Sequence, residues 1–160
     1  MSDPRPVTAA DLAALEFFEG LPEGALEPVA ESARRRILGD GERLFTQGDP
    51  GASIYWLVRG RLAIRIAHDG HSLIVMTLEP GEILGWSTLR GHATTLSTAR
   101  AAGPTELIEV PTEVVLDLLA SGLPESRLLI QRLAAAASDH LERTRHQLLN
   151  RGHNGLITGG

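Results

Sequence analysis

The sequence predicts an α+β chain: a jelly-roll-like antiparallel β-roll set between N-terminal helices and a long C-terminal helix. Three observations carry that expectation. Glycines recur from Gly39 to Gly103 and separate short β-type runs. The segments on either side carry apolar residues at helical spacing. The last of these, from Pro124 to about Asn150, is far longer than any other periodic segment. Composition agrees: 160 residues, 42% apolar and 22% charged, describe one globular domain. A chain of this length buries roughly 70% of its unfolded surface.

Composition also removes function classes. There is no cysteine, which excludes disulfides, thiolate metal sites, iron–sulfur clusters and a cysteine nucleophile. The net charge of -5 and pI near 5.6 give no strong cationic field toward nucleic acid or anionic membrane. Met1 to Pro6 lacks the apolar run of a signal peptide, and no apolar run is long enough for a membrane span. The default expectation is a cytoplasmic protein without membrane contact.

Residues 1–7 are polar and Pro-rich and read as a loose tail. Thr8 to Leu15 has helix spacing, with Leu12, Leu15 and Phe18 on one side. The run Gly20-Leu21-Pro22-Glu23-Gly24 breaks it. A second helix is expected over about Ala25 to Arg34, with Leu26, Val29, Ala30 and Ala33 inward. Arg34-Arg35-Arg36 then reads as a solvated cap against the negative end of the helix dipole, rather than a nucleic-acid patch.

Strands are expected at 54–58 and 62–66, joined through Arg59-Gly60, and at 73–78 after the turn His68-Asp69-Gly70-His71. Asp-Gly is a strong hairpin dipeptide because glycine accepts a positive φ. Ile83-Leu84, Thr94 to Ala102 and 107–110 complete a roll of short, turn-punctuated strands. Helical spacing returns at Pro111, with Val114, Val115, Leu118 and Leu119 as an apolar face. Ser121-Gly122 stops that helix, and Pro124 suits the first turn of the next. Gly152 reads as its stop. The expected divisions are N-terminal helices at 1–38, the roll at 39–110, C-terminal helices at 111–151 and a tail at 152–160.

Three segments in this frame have a known look. Gly41 to Asp49 resembles the lead-in to the roll of cyclic-nucleotide-binding domains of the Crp/Fnr type. Ile54 to Leu62 resembles their central hairpin. Pro80 to Gly85 resembles the approach to their phosphate-binding cassette. The resemblance covers residues 12–150. It implies a non-enzymatic module that senses a small molecule through movement of the cassette against the long helix.

In that family the cassette glycine is followed by a glutamate that meets the ribose. An arginine further on meets the phosphate, together with helix N-terminal amides. Here the glycine is Gly85, but Trp86 stands at the glutamate position. Counting back from Arg100-Ala101, Thr95 stands at the arginine position and Leu96 follows it. Both charged anchors are replaced, so a cyclic nucleotide is expected to bind weakly. Arg90 and Arg100 are candidate substitutes, away from the family positions. Gly85-Trp86-Ser87 resembles a divergent subgroup of these sensors. The candidate pocket is Leu84, Gly85, Trp86, Ser87, Thr88, Thr94, Thr95, Leu96 and Arg100. Its small hydroxyls, with Ser97 and Thr98, suit a polar lining, or alternatively a strand surface. A flat, mostly neutral, partly aromatic ligand would fit an indole beside them.

The long helix carries a stripe of Ile130, Leu133, Ala137, Leu141 and Leu148, which is expected to pair two chains into a homodimer. Only ten residues follow Asn150, too few for a helix-turn-helix, so no nucleic-acid reader is expected within this chain. A ligand-free dimerisation or interaction domain with an unidentified protein partner is the alternative. A cupin-like metalloenzyme is the third reading. Its weakness is that His68 and His71, with His92, His140, His146 and His153, do not give convergent ligand spacing. No nucleophile elbow, Walker loop or dinucleotide fingerprint occurs.

Overall fold

Thr8 opens the first helix with a reciprocal cap. Its hydroxyl accepts from the Asp11 amide at 3.2 Å, and the Asp11 carboxylate accepts from the Thr8 amide at 2.9 Å. Helix α1 (Ala9–Ala13), a 3-10 turn (Glu16–Phe18) and helix α2 (Glu23–Ser32) follow. The computed structural model describes residues 5–91 and 94–158, apart from the side chains of Trp86, Arg90 and residues 151–158.

Among the described residues, eight antiparallel strands form two four-stranded sheets. The strands are β1 (Arg34–Leu38), β2 (Arg43–Phe45), β3 (Ser53–Arg59), β4 (Leu62–His68), β5 (His71–Leu78), β6 (Ile83–Leu84), β7 (Thr98–Ala101) and β8 (Thr105–Pro111). The first sheet has the order β1-β8-β3-β6, the second β2-β7-β4-β5. Helices α3 (Thr112–Leu119) and α4 (Ser126–Thr158) close the chain.

Strand periodicity divides the core in two. In β3, Ile54 and Trp56 point to the helices, while Leu57 points between the sheets with Leu62, Ile64 and Leu107. Trp56 is fully buried, its ring 5.3 Å from Phe17 and 5.0 Å from Phe18. With both faces covered, β3 reads as a continuous apolar run instead of an alternating one.

The fold agrees with the α+β roll read from the sequence, and the boundaries shift in four places. The arginine triplet is not a helix cap: α2 ends at Ser32, and Arg34 to Arg36 open β1 along β8. Tertiary ion pairs override the local reading. Arg35 is buried against Asp11 at 2.7 Å, and Arg36 meets Glu109 at 3.0 Å. The tail reading fails at Val7, which is buried in the helix-side core at the staple position before the cap. The strand expected from Thr94 is regular only from Thr98. Finally, α4 runs through Gly152, since a single glycine costs a helix only about 1 kcal/mol.

Gly60 shows why the turn at Arg59-Gly60 needs glycine. Its φ is +92°, and an added Cβ would lie 2.4 Å from the Pro104 carbonyl oxygen and 2.7 Å from Thr105 Cα. Both obstacles are backbone. Gly60→Ala should therefore destabilise by about 3 kcal/mol in chemical denaturation. Gly39→Ala, with nothing within 4 Å, should change stability by less than about 0.5 kcal/mol.

Candidate functional site

The two sheets separate at one end of the roll and leave a cavity of about 260 Å³. Gly85 sets one edge. Its φ is +88°, and a Cβ there would lie 2.6 Å from the Ser53 carbonyl oxygen, so only glycine lets the turn after β6 approach β3 this closely. The cassette that follows, Trp86–Arg90, is a five-residue 3-10 turn rather than an α-helix. Phe45, Tyr55, Ile64, Ile66, Val75 and Met76 form the apolar walls. Phe45 and Tyr55 stack at 5.9 Å with a 39° tilt.

Six of the sequence-predicted pocket residues meet at this cavity: Leu84, Gly85, Ser87, Thr88, Thr95 and Leu96. Thr94 does not line it; it forms a bridge to Pro50. Arg100 is on the opposite surface. Ala99 and Ala101 face the core at 0% and 2% exposure, so the alternation of β7 turns Arg100 to solvent. The side chains of Trp86 and Arg90 lie outside the described residues.

The threonines have other partners. Thr95 Oγ1 donates to the Thr46 carbonyl at 2.7 Å, and its amide donates to the Asp49 carbonyl at 2.8 Å. Thr88 Oγ1 donates to the Gly85 carbonyl at 2.8 Å, which makes Thr112 the donor in the 2.7 Å contact between the two hydroxyls. Their methyl groups are what approach Gly51. The lining is thus less polar than a count of hydroxyls implies. Among the described residues it contains no Asp, Glu, Lys or Arg. Tyr55 is its phenol, pushed up to about 12 chiefly by burial and then by the nearby Glu109 carboxylate, so it stays protonated.

Helix α4 covers the mouth with His140, Leu141 and Thr144. Two arginines seat it. Arg132 Nη1 donates to the Phe17 and Glu19 carbonyls, both at 2.7 Å. Arg143 donates to Glu82 Oε1 and to the Thr77 carbonyl, tying the helix to β5 and to the loop before β6. The stripe read from the sequence splits accordingly. Leu129 and Leu133, with Ala136, pack on the chain's own core. Ile130, Leu141 and Leu148 are exposed at 51%, 72% and 48%, and Ala137 is half-buried. The lid residues His140 and Thr144 escaped sequence reading because nothing local says which helix face meets the roll. Among the wall residues, Ile64 and Ile66 of β4 carried a usable signal, their alternation with Ala63 and Arg65, whereas β3 and β5 read as continuous apolar runs.

His68 and His71 face each other at the tip of the β4–β5 hairpin, not at the cavity. Among the described residues no group of three or more His, Cys, Asp and Glu could hold a metal ion. Among the same residues no helix is long and apolar enough to cross a membrane.

This geometry, a two-sheet roll whose cavity is roofed by a long helix, is that of one family. Residues 35–121 match the profile of the cyclic nucleotide-binding domain, and the chain belongs to that family. It is similar to the acetyltransferase Pat of Mycolicibacterium smegmatis, 39% identical over 104 residues, which are 65% of this chain and 31% of that protein. Among solved structures it resembles a cAMP-binding acyltransferase from Mycobacterium smegmatis, 36% identical with a TM-score of 0.64 over 79% of this chain and 41% of that one. It also resembles the Thermus thermophilus catabolite activator protein, 26% identical with a TM-score of 0.66 over 85% of this chain and 62% of that one. The chain thus spans less than two thirds of each of these relatives. The fold and recognition expected from the sequence, a Crp/Fnr-type cyclic-nucleotide-binding roll, hold.

Burial holds His140 below its ordinary value of 6.5; Arg143 adds to this, while Glu82 and Asp139 oppose it. The native state therefore binds this proton more weakly than the unfolded chain. Its contribution to stability is complete above about pH 6.5 and is lost as the pH falls toward the lowered native value. Between about pH 7.5 and 5.5 the wild-type melting temperature should drop more than that of His140→Gln, measured by calorimetry.

Proposed function

We propose that the chain is a regulatory module that senses a small molecule in the β-roll cavity, with both usual charged anchors of a cyclic nucleotide replaced. The observation that carries this reading is the cavity's lining, apolar and without a carboxylate or guanidinium among the described residues. By the resemblance, Trp86 and Thr95 stand where the ribose and phosphate anchors would be. Thr95 is also bound to the Thr46 and Asp49 carbonyls, a structural role that leaves no cation behind. The favoured ligand is uncharged or weakly anionic and partly aromatic, matched to the Phe45–Tyr55 pair and the aliphatic walls.

A charge-assisted hydrogen bond is worth about 1.5–3 kcal/mol. Two lost anchors weaken a cyclic nucleotide by roughly a hundredfold or more. Titration calorimetry should give dissociation constants for cAMP and cGMP of about 100 μM or weaker. Low-micromolar binding of either would overturn the reading.

The output is a change in how α4 sits over the mouth, passed to a second copy, or to a fused or separate protein partner, in the cytoplasm. The similar acetyltransferase supports a fused enzyme as one recipient. No catalytic role is assigned to residues of this chain. The exposed side of α4 favours pairing with a second copy, because Ile130, Leu141 and Leu148 stand on it with Ala134 between. Leu141 also edges the cavity, so the test uses its neighbours. Light scattering at tens of micromolar should find a dimer for the wild type and a monomer for Ile130→Glu combined with Leu148→Glu. A monomeric wild type would remove the homodimer and leave α4 to another partner.

A further inference from the structure

Three arginines share the outer face of the second sheet with no acidic partner among the described residues. Arg43 of β2 lies directly across from Arg100 of β7. Arg65 of β4 pairs with Thr98, which places it diagonally from Arg100 on the same face. Directly opposed residues have Cβ atoms about 4.5–5.5 Å apart and diagonal ones roughly 7–8 Å. Like charges set directly opposite destabilise a sheet. Several other arginines meet carboxylates: Arg35 meets Asp11, Arg36 meets Glu109, Arg61 meets Glu79 and Arg143 meets Glu82. Among the described residues no carboxylate lies within ion-pair distance of Arg43, Arg65 or Arg100.

The surroundings are those of an acceptor-poor anion pocket. With Thr46, Ser72 and Thr98 the three arginines line a groove of about 310 Å³. Thr98 Oγ1 accepts from the Gln47 amide at 2.9 Å, which leaves its own proton to donate. Register irregularities fall next to Arg43 and next to Arg65, and such bulges re-aim side chains. Guanidinium forks and hydroxyl donors around one small volume match the oxygens of a phosphoryl group.

We propose that this groove is a binding site for a small phosphate-bearing anion, separate from the β-roll cavity. The cross-strand repulsion between Arg43 and Arg100 is relieved when the anion is bound. A second input, anionic and on the outer face of the second sheet, follows. The site does not depend on what the cavity holds. The small volume and the hydroxyl donors favour a phosphate over an acidic protein segment.

Amide chemical shifts of the labelled protein, titrated with inorganic pyrophosphate at low ionic strength, test the site. Saturable shifts should centre on residues 43, 46, 65, 98 and 100 and weaken with added salt. Arg43→Gln combined with Arg100→Gln should weaken binding tenfold or more. Arg34→Gln, an exposed arginine of the other sheet, should leave it unchanged. The double variant should melt no lower than the wild type, because it removes a like-charge pair. Absence of saturation by about 10 mM, shifts centred on the cavity, or equal loss in Arg34→Gln would each overturn the proposal. Tighter binding of a polyglutamate peptide than of pyrophosphate would reassign the groove to a carboxylate-bearing partner.

Discussion

Arg143 is the contact on which the arrangement around the cavity depends. A helix as long as α4 touches the roll over only part of its length, and residues 145–150 are exposed apart from half-buried Gln147. One guanidinium there reaches both the Glu82 carboxylate and the Thr77 carbonyl, two points on either side of the loop into β6. A planar fork held at both tips fixes the rotation of the helix as well as its distance. That rotation brings His140, Leu141 and Thr144 over the cavity mouth. A lysine could not hold both points in this way, being a single flexible charge.

The cavity itself follows from strands covered on both faces. β3 and β8 send alternate side chains to the helices and to the roll interior, and the interior set is too small to close the space between the sheets at the cassette end. Gly85 and Gly51 keep the backbones near one another there, and the hydroxyls of Thr88 and Thr95 turn back to carbonyls. An apolar lining under a helix lid is the result. The lid is in contact with both the interior and, through Ile130 and Leu148 nearby, the solvent side of the helix.

Much of this was legible in the sequence. Glycine spacing marked the roll, and helical spacing marked its flanks, because both are local consequences of backbone geometry. Six of the eight candidate pocket residues with described side chains line one cavity, since they follow one another along the cassette and the next segment. Arg100 did not, because the face of a strand residue depends on register, and register is set by the partner strand. The arginine triplet looked like a cap for the same reason. Its partners Asp11, Glu106 and Glu109 are distant in sequence. The stripe on α4 read as one surface, yet Leu133 belongs to the core and Leu141 to solvent, a division only the Arg132 and Arg143 anchors determine.

The seating of α4 by Arg143 is tested most directly by native-state hydrogen exchange along the helix. If the fork holds the lid, Arg143→Ala should raise amide exchange over residues 137–147 by about tenfold or more, with residues 107–110 of β8 unchanged. Equal protection of α4 in the variant and the wild type would contradict it, and the lid would then rest on apolar packing alone.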